Sequence, residues 1–286
     1  MILDGHIHIM DKIKNTDYDS FNRLLKSAGP EGGLIISFPP TASFASETYH
    51  WEDRIKEVMA FTGNDNNLYP IFWIDPTQDD AKSQVDIACE YGILGFKIIC
   101  DSFYISDEKA MNTVKYIASK EKPILFHSGI LWDGKVSSKF NKPVEFESLI
   151  KVDGLKFTLA HVSWPWYDEC IALYGKFLNA HVYSKDLSVE MFIDLTPGTP
   201  HIYRQEVLTK LFNVGYDIEN NIIFGTDGYI GNYNASWTEN WIKTDNEIYD
   251  KLEINEDIRN KIFGENLLRF LGIMKTDIKK KIPVMS

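Results

Sequence analysis

The sequence predicts a single closed (β/α)8 barrel, because short apolar segments alternate with longer segments of helical periodicity along the chain. Eight strands are expected, at Ile2–His8, Leu34–Phe38, Tyr69–Ile74, Leu94–Ile99, Ile124–His127, Phe157–His161, Glu190–Leu195 and Ile222–Thr226. They are rich in β-branched and aromatic residues and mostly do not alternate, which is typical of strands buried on both faces of a parallel sheet. Eight strand–helix units favour a closed barrel over an open sheet, and 286 residues suit such a domain, which takes about 250.

Capping residues mark the helices between these strands. Asp79–Tyr91 is predicted to be a helix that ends at Gly92, and Ser106–Lys120 a helix that begins at a Ser-Asp-Glu cap. Further helices are predicted at Tyr18–Ser27, Thr48–Thr62, Val144–Ile150, Trp166–Leu173, Gln205–Val214 and, as one or two closing helices, Ile248–Leu271. Because no linker rich in Pro, Gly or Ser divides the chain, we expect one domain over residues 1–273 and a solvated tail over residues 274–286.

Composition excludes several classes of partner. The net charge of −11 argues against nucleic acid and anionic membrane surfaces, both of which require a basic footprint. No Gly-rich phosphate-binding motif follows a predicted strand, and the three cysteines form no CxxC pair. With no signal peptide or membrane span in the sequence, we expect a cytoplasmic protein that acts on a small-molecule substrate. The oligomeric state is not readable, although a homodimer is common for this fold.

Polar residues at the ends of the predicted strands carry the candidate chemistry, since active-site groups of barrels sit at the C-terminal ends of strands. His6 and His8 end strand one, His127 ends strand five, His161 ends strand six, and Asp227 follows strand eight. Residues two apart on a strand point to the same face, so both imidazoles of the first pair converge. A His pair alone would not separate metal ligands from satisfied polar groups. The five residues together predict a site for Zn²⁺, or for another divalent transition metal such as Mn²⁺.

Other candidates have weaker support. Lys97 near the end of strand four is expected either to pair with Asp227 or to bind a substrate carboxylate. The remaining candidate substrate contacts are Trp73, Trp164, His201, Arg204 and Tyr229. Trp164 follows His161 as part of a bulky aromatic wall, while His201 and Arg204 are expected in a long loop after strand seven. Arg204 can clamp a carboxylate there, or it is simply an exposed loop residue.

These motifs resemble the amidohydrolase superfamily. They are Leu3-Asp4-Gly5-His6-Ile7-His8, Gly95-Phe96-Lys97, Phe126-His127-Ser128-Gly129, Leu159-Ala160-His161 and Ile223-Phe224-Gly225-Thr226-Asp227. Ile262–Leu271 is similar to the closing helix of the amidohydrolase-2 branch of metal-dependent hydrolases and decarboxylases. The resemblance covers the whole chain in the right order. Its motifs are specific for the superfamily and carry little information on substrate.

The resemblance implies two metal arrangements. With one ion, His6, His8, His127 and Asp227 are the ligands, and His161 stands beside them as an acid/base or orienting group. With two ions, Lys97 is carboxylated and bridges them; one ion then takes His6, His8 and Asp227, and the other takes His127 and His161. We favour one ion with Lys97 as a positively charged substrate contact.

The resemblance also implies an activity, which is hydrolysis of a small-molecule ester, lactone or amide by metal-activated water. Asp227 and His161 are the expected catalytic residues. Non-oxidative decarboxylation of a small aromatic or enoic acid is the alternative, and a catalytically inactive barrel that binds a small molecule is an alternative of another class. TatD-type hydrolases fit less well, because they place Glu where this chain has Lys97. The polymerase-and-histidinol-phosphatase type ends with Asp-x-His, which Asp227-Gly228-Tyr229 lacks.

Overall fold

The computed structural model describes residues 1–11, 18–41, 49–184 and 186–273, so the predicted tail 274–286 and the first residue of the predicted helix 48–62 lie outside the described residues. The strands are β1 Leu3–His8, β2 Gly32–Ile36, β3 Leu68–Trp73, β4 Gly95–Ile98, β5 Ile124–Phe126, β6 Lys156–Leu159, β7 Glu190–Asp194, β8 Ile222–Ile223 and β9 Gly228–Tyr229. All eight predicted strands are therefore confirmed, with ends shifted by a few residues. Neighbouring strands pair in parallel in the order β8-β7-β6-β5-β4-β3-β2-β1-β9.

The barrel closes where the last two strands meet the first. β9 continues the direction of β8 after a short break and pairs with β1 through Ile7↔Gly228 and His8↔Tyr229. Below that pairing the Gly5 amide donates to the Phe224 carbonyl at 2.9 Å. A Cβ at Gly5 would lie 2.6 Å from that oxygen, so only glycine allows this approach. The predicted single (β/α)8 barrel is confirmed.

Helices surround the sheet. They are α1 Tyr18–Ser27, α2 Trp51–Thr62, α3 Ala81–Tyr91, α4 Glu108–Ser119, α5 Tyr167–Tyr183, α6 His201–Asn213, α7 Ala235–Lys251, α8 Glu256–Asn260 and α9 Asn266–Phe270. The predicted helix 144–150 is a 3-10 segment, Pro143–Lys151, and further 3-10 turns cover Ser138–Asn141, Ala160–Ser163 and Ile230–Asn232. A π-helical turn, Lys261–Glu265, separates α8 from α9.

Two helices differ from the prediction. α5 extends to Tyr183, ten residues past its predicted end at Leu173, and most of α7 falls before the predicted closing helices, which start at Ile248. The signal for α7 is local, because the Asn234 side chain accepts the Trp237 amide at 3.0 Å as an N-cap. None of the helices in the described ranges is long and apolar enough to cross a membrane.

The core has two parts. Side chains such as Ile7, Phe96 and Phe126 point outward and pack against the helices. Leu34, Ile36 and Phe192 belong to a second cluster inside the barrel, to which α9 contributes. Since α9 packs near the N-terminal end of the barrel, the open end is the one where the strands finish, which is where barrel enzymes hold their sites.

Candidate metal centre

Three side chains converge at the open end of the barrel, beside the pairing of β1 with β9 that closes the sheet. Nε2 of His6 lies 3.1 Å from Nε2 of His8. Oδ1 of Asp227 lies 3.4 Å from Nε2 of His8 and 3.7 Å from Nε2 of His6. Zinc–nitrogen bonds near 2.0–2.1 Å place neighbouring donors of a tetrahedral site about 3.3 Å apart. The three donor atoms are therefore spaced as ligands of one ion are, and they form a group able to hold a metal.

The two other histidines lie beside this group. The ring of His161 is 5.6 Å from that of His6 and 5.0 Å from that of His127. Nε2 of His127 is buried and has no hydrogen-bond partner among the described residues, which is costly unless a ligand uses it. Nζ of Lys97 lies 3.4 Å from Nε2 of His6. All six of these residues line one cavity of about 500 Å³.

The turn that carries His161 has an unusual backbone. His161, Val162 and Ser163 have φ values of 62°, 46° and 58°, in the left-handed region that non-glycine residues rarely adopt. Asp227, with φ 59°, shares this feature. Each such residue costs about 1–3 kcal/mol and persists only where its surroundings hold it. Strained residues of this kind cluster at functional sites, and here they include His161 and Asp227, two of the five predicted site residues.

Gly198 makes room for the His161 ring. A Cβ built on Gly198 would lie 2.8 Å from Cβ and Cγ of His161, so the loop after β7 passes directly over the imidazole. From the same loop, the Thr196 carbonyl lies 3.4 Å from Nδ1 of His161, which identifies Nδ1 as the protonated nitrogen of the neutral ring. Nε2 is then the nitrogen with a free lone pair.

Asp194 was missed by the sequence analysis. Oδ2 of this fully buried residue lies 2.8 Å from Nδ1 of His6, and Oδ1 accepts from the Thr196 amide and hydroxyl. A carboxylate in this position fixes the orientation and tautomer of a ligating imidazole. The available signal was the one used elsewhere, since Ile193-Asp194-Leu195 also puts a polar residue at the end of an apolar strand.

Burial sets the protonation of the site. It lowers the pKa of His6, His8, His127 and His161, and the Lys97 charge adds to this effect for His6. Burial also lowers the pKa of Lys97 to about 8.

The carboxylate behaves differently. Burial opposes ionisation of Asp227, but the hydrogen bond to His8, together with the neighbouring His161 and His6, holds its pKa well below the usual range. Neutral imidazoles and an ionised carboxylate are the forms that bind a divalent transition metal, so the residues present fit such an ion.

The structure separates the weaker candidates. Trp73, Trp164 and Tyr229 line the cavity, as predicted. Lys97 is buried there, and no carboxylate in the described part of the chain lies within 4.0 Å of its amine, so the predicted pairing with Asp227 is not observed. Trp132, which sequence analysis did not single out, is 80% exposed at the cavity mouth and stacks on Trp164 with ring centroids 6.4 Å apart.

The prediction for Arg204 is wrong. It lies in α6 rather than in a loop, is fully buried, and donates from Nε and Nη2 to both carboxylate oxygens of Asp245 at 2.7 Å. It also donates to the Leu195 carbonyl at 2.5 Å, so its donors are used within the protein and it does not reach the cavity. α6 begins at His201, directly after Pro200, so Arg204 lies in the first turn of this helix and not in a loop.

The structure also places His201 outside the predicted loop. It is the first residue of α6, is exposed, and its Nε2 lies 3.1 Å from Oγ1 of Thr244. It lines a neighbouring groove with Trp237 and Trp241 and does not line the metal cavity, although Pro197 and Gly198 line both.

Comparison with known proteins identifies structural neighbours. No protein-family model and no curated protein sequence matches the chain. Among solved structures, an uncharacterised TIM-barrel protein from Bordetella bronchiseptica has a TM-score of 0.66 at 14% identity, over 95% of this chain and 99% of that one. An amidohydrolase from Burkholderia multivorans with bound zinc has a TM-score of 0.65 at 10% identity, over 96% and 100%.

A 2,6-dihydroxybenzoate decarboxylase, complexed with 2,6-dihydroxybenzoate, has a TM-score of 0.60 at 13% identity, over 95% of this chain and 98% of that one. The predicted resemblance is thus confirmed at the level of the fold, since a zinc-bound amidohydrolase, hydrolases of 2-pyrone-4,6-dicarboxylic acid and this decarboxylase are among the structural neighbours. At these identities the likeness is one of fold.

Proposed function

We propose that this chain is a metal-dependent hydrolase that acts on a small-molecule ester, lactone or amide. The observation that carries the proposal is the convergence of His6, His8 and Asp227, whose donor atoms lie 3.1–3.7 Å apart. The fold shared with a zinc-bound amidohydrolase supports it.

In this proposal His6, His8, Asp227 and His127 hold one Zn²⁺ or another divalent transition metal such as Mn²⁺. When bound, the ion supplies a hydroxide nucleophile near neutral pH and polarises the substrate carbonyl. His127 is the proposed fourth ligand, since it lines the same cavity and its buried Nε2 has no partner among the described residues, although of these four residues only His6, His8 and Asp227 have donor atoms within 4.8 Å of one another. Asp194 keeps the proton of His6 on Nδ1, so that the Nε2 lone pair of His6 is free.

The chain's own residues move the proton. Asp227 is ionised because its histidine neighbours hold its pKa well below the usual range, so a carboxylate oxygen can accept the proton of the attacking water and pass it to the leaving group. His161 has its Nδ1 proton directed at the Thr196 carbonyl. Its Nε2 therefore faces the reaction as a second acid/base group.

Lys97 and the aromatic side chains bind the substrate in this proposal. The Lys97 amine is buried in the cavity without a carboxylate within 4.0 Å in the described ranges. A buried cation with no carboxylate beside it favours an anionic partner, and a substrate carboxylate provides one. Trp73, Trp164 and Tyr229 form walls that suit an apolar or ring-shaped body and exclude water.

Decarboxylation of a small aromatic or enoic acid is the second candidate. The Lys97 amine has no carboxylate within 4.0 Å in the described ranges and therefore favours an acid as substrate, and a 2,6-dihydroxybenzoate decarboxylase shares the fold. In that reaction the carbon–carboxylate bond breaks, carbon dioxide leaves, and an acid at the site supplies the proton to the carbon.

A substrate screen tests the proposal. Zinc-loaded and chelator-treated protein are assayed against lactones, esters, amides, and aromatic and enoic acids. Acid release from esters and lactones is followed by pH-stat, acid and amine release from amides by chromatography, and carbon dioxide by trapping. We expect zinc-dependent acid release that is absent in His8→Ala. Zinc-dependent carbon dioxide release would select the second candidate instead. Turnover that is unchanged by metal removal, or no turnover of any class despite bound zinc, would contradict the proposed hydrolase.

A further inference from the structure

Asp4 joins the two strands that carry the convergent ligands. It is fully buried in β1, and its carboxylate accepts four hydrogen bonds. Oδ1 accepts the amide of His6 at 3.1 Å and the amide of Thr226 at 2.9 Å. Oδ2 accepts the Thr226 hydroxyl at 2.5 Å and the Tyr233 hydroxyl at 3.0 Å. One carboxylate therefore holds the backbone of a ligand on β1 and the backbone next to Asp227.

These bonds lie where the sheet has a break. The last strand is interrupted between Ile223 and Gly228, and Asp227 within that gap has a left-handed backbone with φ 59°. On its other side, the pairing of β1 with β2 shifts register between Asp4 and Ile7. Backbone amides in such a gap lack ladder partners, and a buried amide without a partner is costly. The Asp4 carboxylate supplies the acceptors that the regular sheet would have supplied.

A buried carboxylate costs free energy, and closing the barrel would not by itself require one at this position. Burying a carboxylate opposes its ionisation, and the cost is offset only where several donors surround it, as they do here. Asp4 does not line the metal cavity, so it does not bind the ion or the substrate. What it contributes is the position of the segment that ends in Asp227.

We infer that Asp4 is a positioning residue of the metal centre, which fixes Asp227 against His6 and His8 by binding the amides of His6 and Thr226. Tyr233 supports the same carboxylate, and the Thr238 hydroxyl in turn donates to the Tyr233 oxygen at 3.0 Å. The first turn of α7, which contains Thr238, therefore packs beside the point where β1 meets the last strand. The inference rests on the proposed function, because it takes the convergent residues to be metal ligands.

A double-mutant cycle tests it. Zinc affinity is measured by competition with a chromophoric chelator for the wild type, Asp4→Asn, Asp227→Ala and the double variant. Asparagine keeps the size of Asp4, but a neutral amide with one acceptor oxygen holds the amides of His6 and Thr226 more weakly than the carboxylate does. In the wild-type background, we expect Asp4→Asn to weaken zinc binding by about 10–100-fold. In the Asp227→Ala background, the same substitution should weaken zinc binding by less than about 3-fold.

Two results would overturn the inference. Equal losses in both backgrounds would make Asp4 a general structural residue, and an unchanged affinity in Asp4→Asn would remove its role altogether. If the wild type itself binds no zinc, the proposed function fails instead, so the two failures are distinguishable.

A milder pair of variants keeps the test independent of folding. Tyr233→Phe removes one donor to Asp4 while keeping the ring, and we expect a loss of zinc affinity by a few fold that also depends on Asp227. Tyr249→Phe is the matched control, because the buried Tyr249 hydroxyl has no hydrogen-bond partner within the described part of the chain. A Tyr233→Phe variant that binds zinc as tightly as Tyr249→Phe would count against the inference.

Discussion

Nδ1 of His6 lies 2.8 Å from Oδ2 of Asp194, although 188 positions separate the two residues in the sequence. The carboxylate keeps the imidazole proton on Nδ1 and turns Nε2 towards His8 and Asp227. A ring held in this way is ready to donate its lone pair before any ligand arrives.

Asp194→Asn is expected to weaken zinc binding by about 10–100-fold. Oδ1 of Asp194 already serves Thr196, so an amide, with a single oxygen, would leave either Thr196 or His6 facing an NH₂ group. Chelator competition measures the loss. Asp168→Asn on the exposed side of α5 is the control. Equal zinc affinities in the two variants would show that Asp194 does not orient a ligand.

Gly198→Ala is expected to reduce turnover about 100-fold while leaving bound zinc almost unchanged. The new methyl group would lie 2.8 Å from Cβ and Cγ of His161 and displace the ring by a few tenths of an ångström or more. Turnover and zinc content are both measured. Gly231→Ala is the matched control, because nothing lies within 4 Å of a Cβ there. Full activity in Gly198→Ala would remove His161 from the catalytic residues.

Lys97 is expected to be an unmodified amine that binds the substrate carboxylate. Burial lowers its pKa to about 8, so the cation is lost as the pH rises through about 8. Above that value the KM of an anionic substrate should rise up to tenfold per pH unit, while the KM of a neutral substrate stays level. Lys97→Met should retain zinc and abolish this pH dependence. Intact-protein mass with one carbon dioxide added would identify the carbamate form with two ions instead.

The metal-free protein is expected to lose stability as the pH falls from 7.5 to 6. Burial lowers the pKa of His6, His8, His127 and His161. Near pH 6.5 these imidazoles therefore bind protons in the unfolded chain but stay neutral in the folded chain. The free energy of unfolding then rises with pH, by up to about 1.4 kcal/mol per pH unit for each imidazole.

Denaturant titrations across this range measure the slope. Asp4, whose pKa is raised to about 6, contributes in the opposite direction at lower pH, which is why the range stops at 6. His127→Gln removes one of these imidazoles, so the slope of the free energy of unfolding against pH should fall by up to about 1.4 kcal/mol per pH unit. A free energy of unfolding that does not change between pH 7.5 and 6 would contradict neutral buried histidines.

The site residues that could be predicted from the sequence are those at the ends of strands. The rule that polar residues end buried strands found His6, His8, His127, His161 and Asp227, because strand periodicity alone sets that pattern. The structure brings these five together around one cavity.

The residues that support the ligands could not be found in this way. Asp194 and Asp4 act through contacts with chain segments 188 and 222 positions away, and such pairings depend on the register of the closed barrel. Arg204 was misplaced for a related reason. Its charge suggested solvent or substrate, whereas the partner that makes its burial possible, Asp245, lies on the next helix but could not be paired with it from sequence.

The central claim is that His6 and His8 hold the metal, and metal analysis tests it most directly. Wild-type protein and the double variant His6→Ala with His8→Ala are each loaded with zinc, freed of excess by gel filtration, and measured for zinc per chain alongside circular dichroism. We predict one zinc ion per chain in the wild type and none in the variant, with the helical signal unchanged. Full zinc occupancy in the double variant, or none in the wild type, would contradict the account.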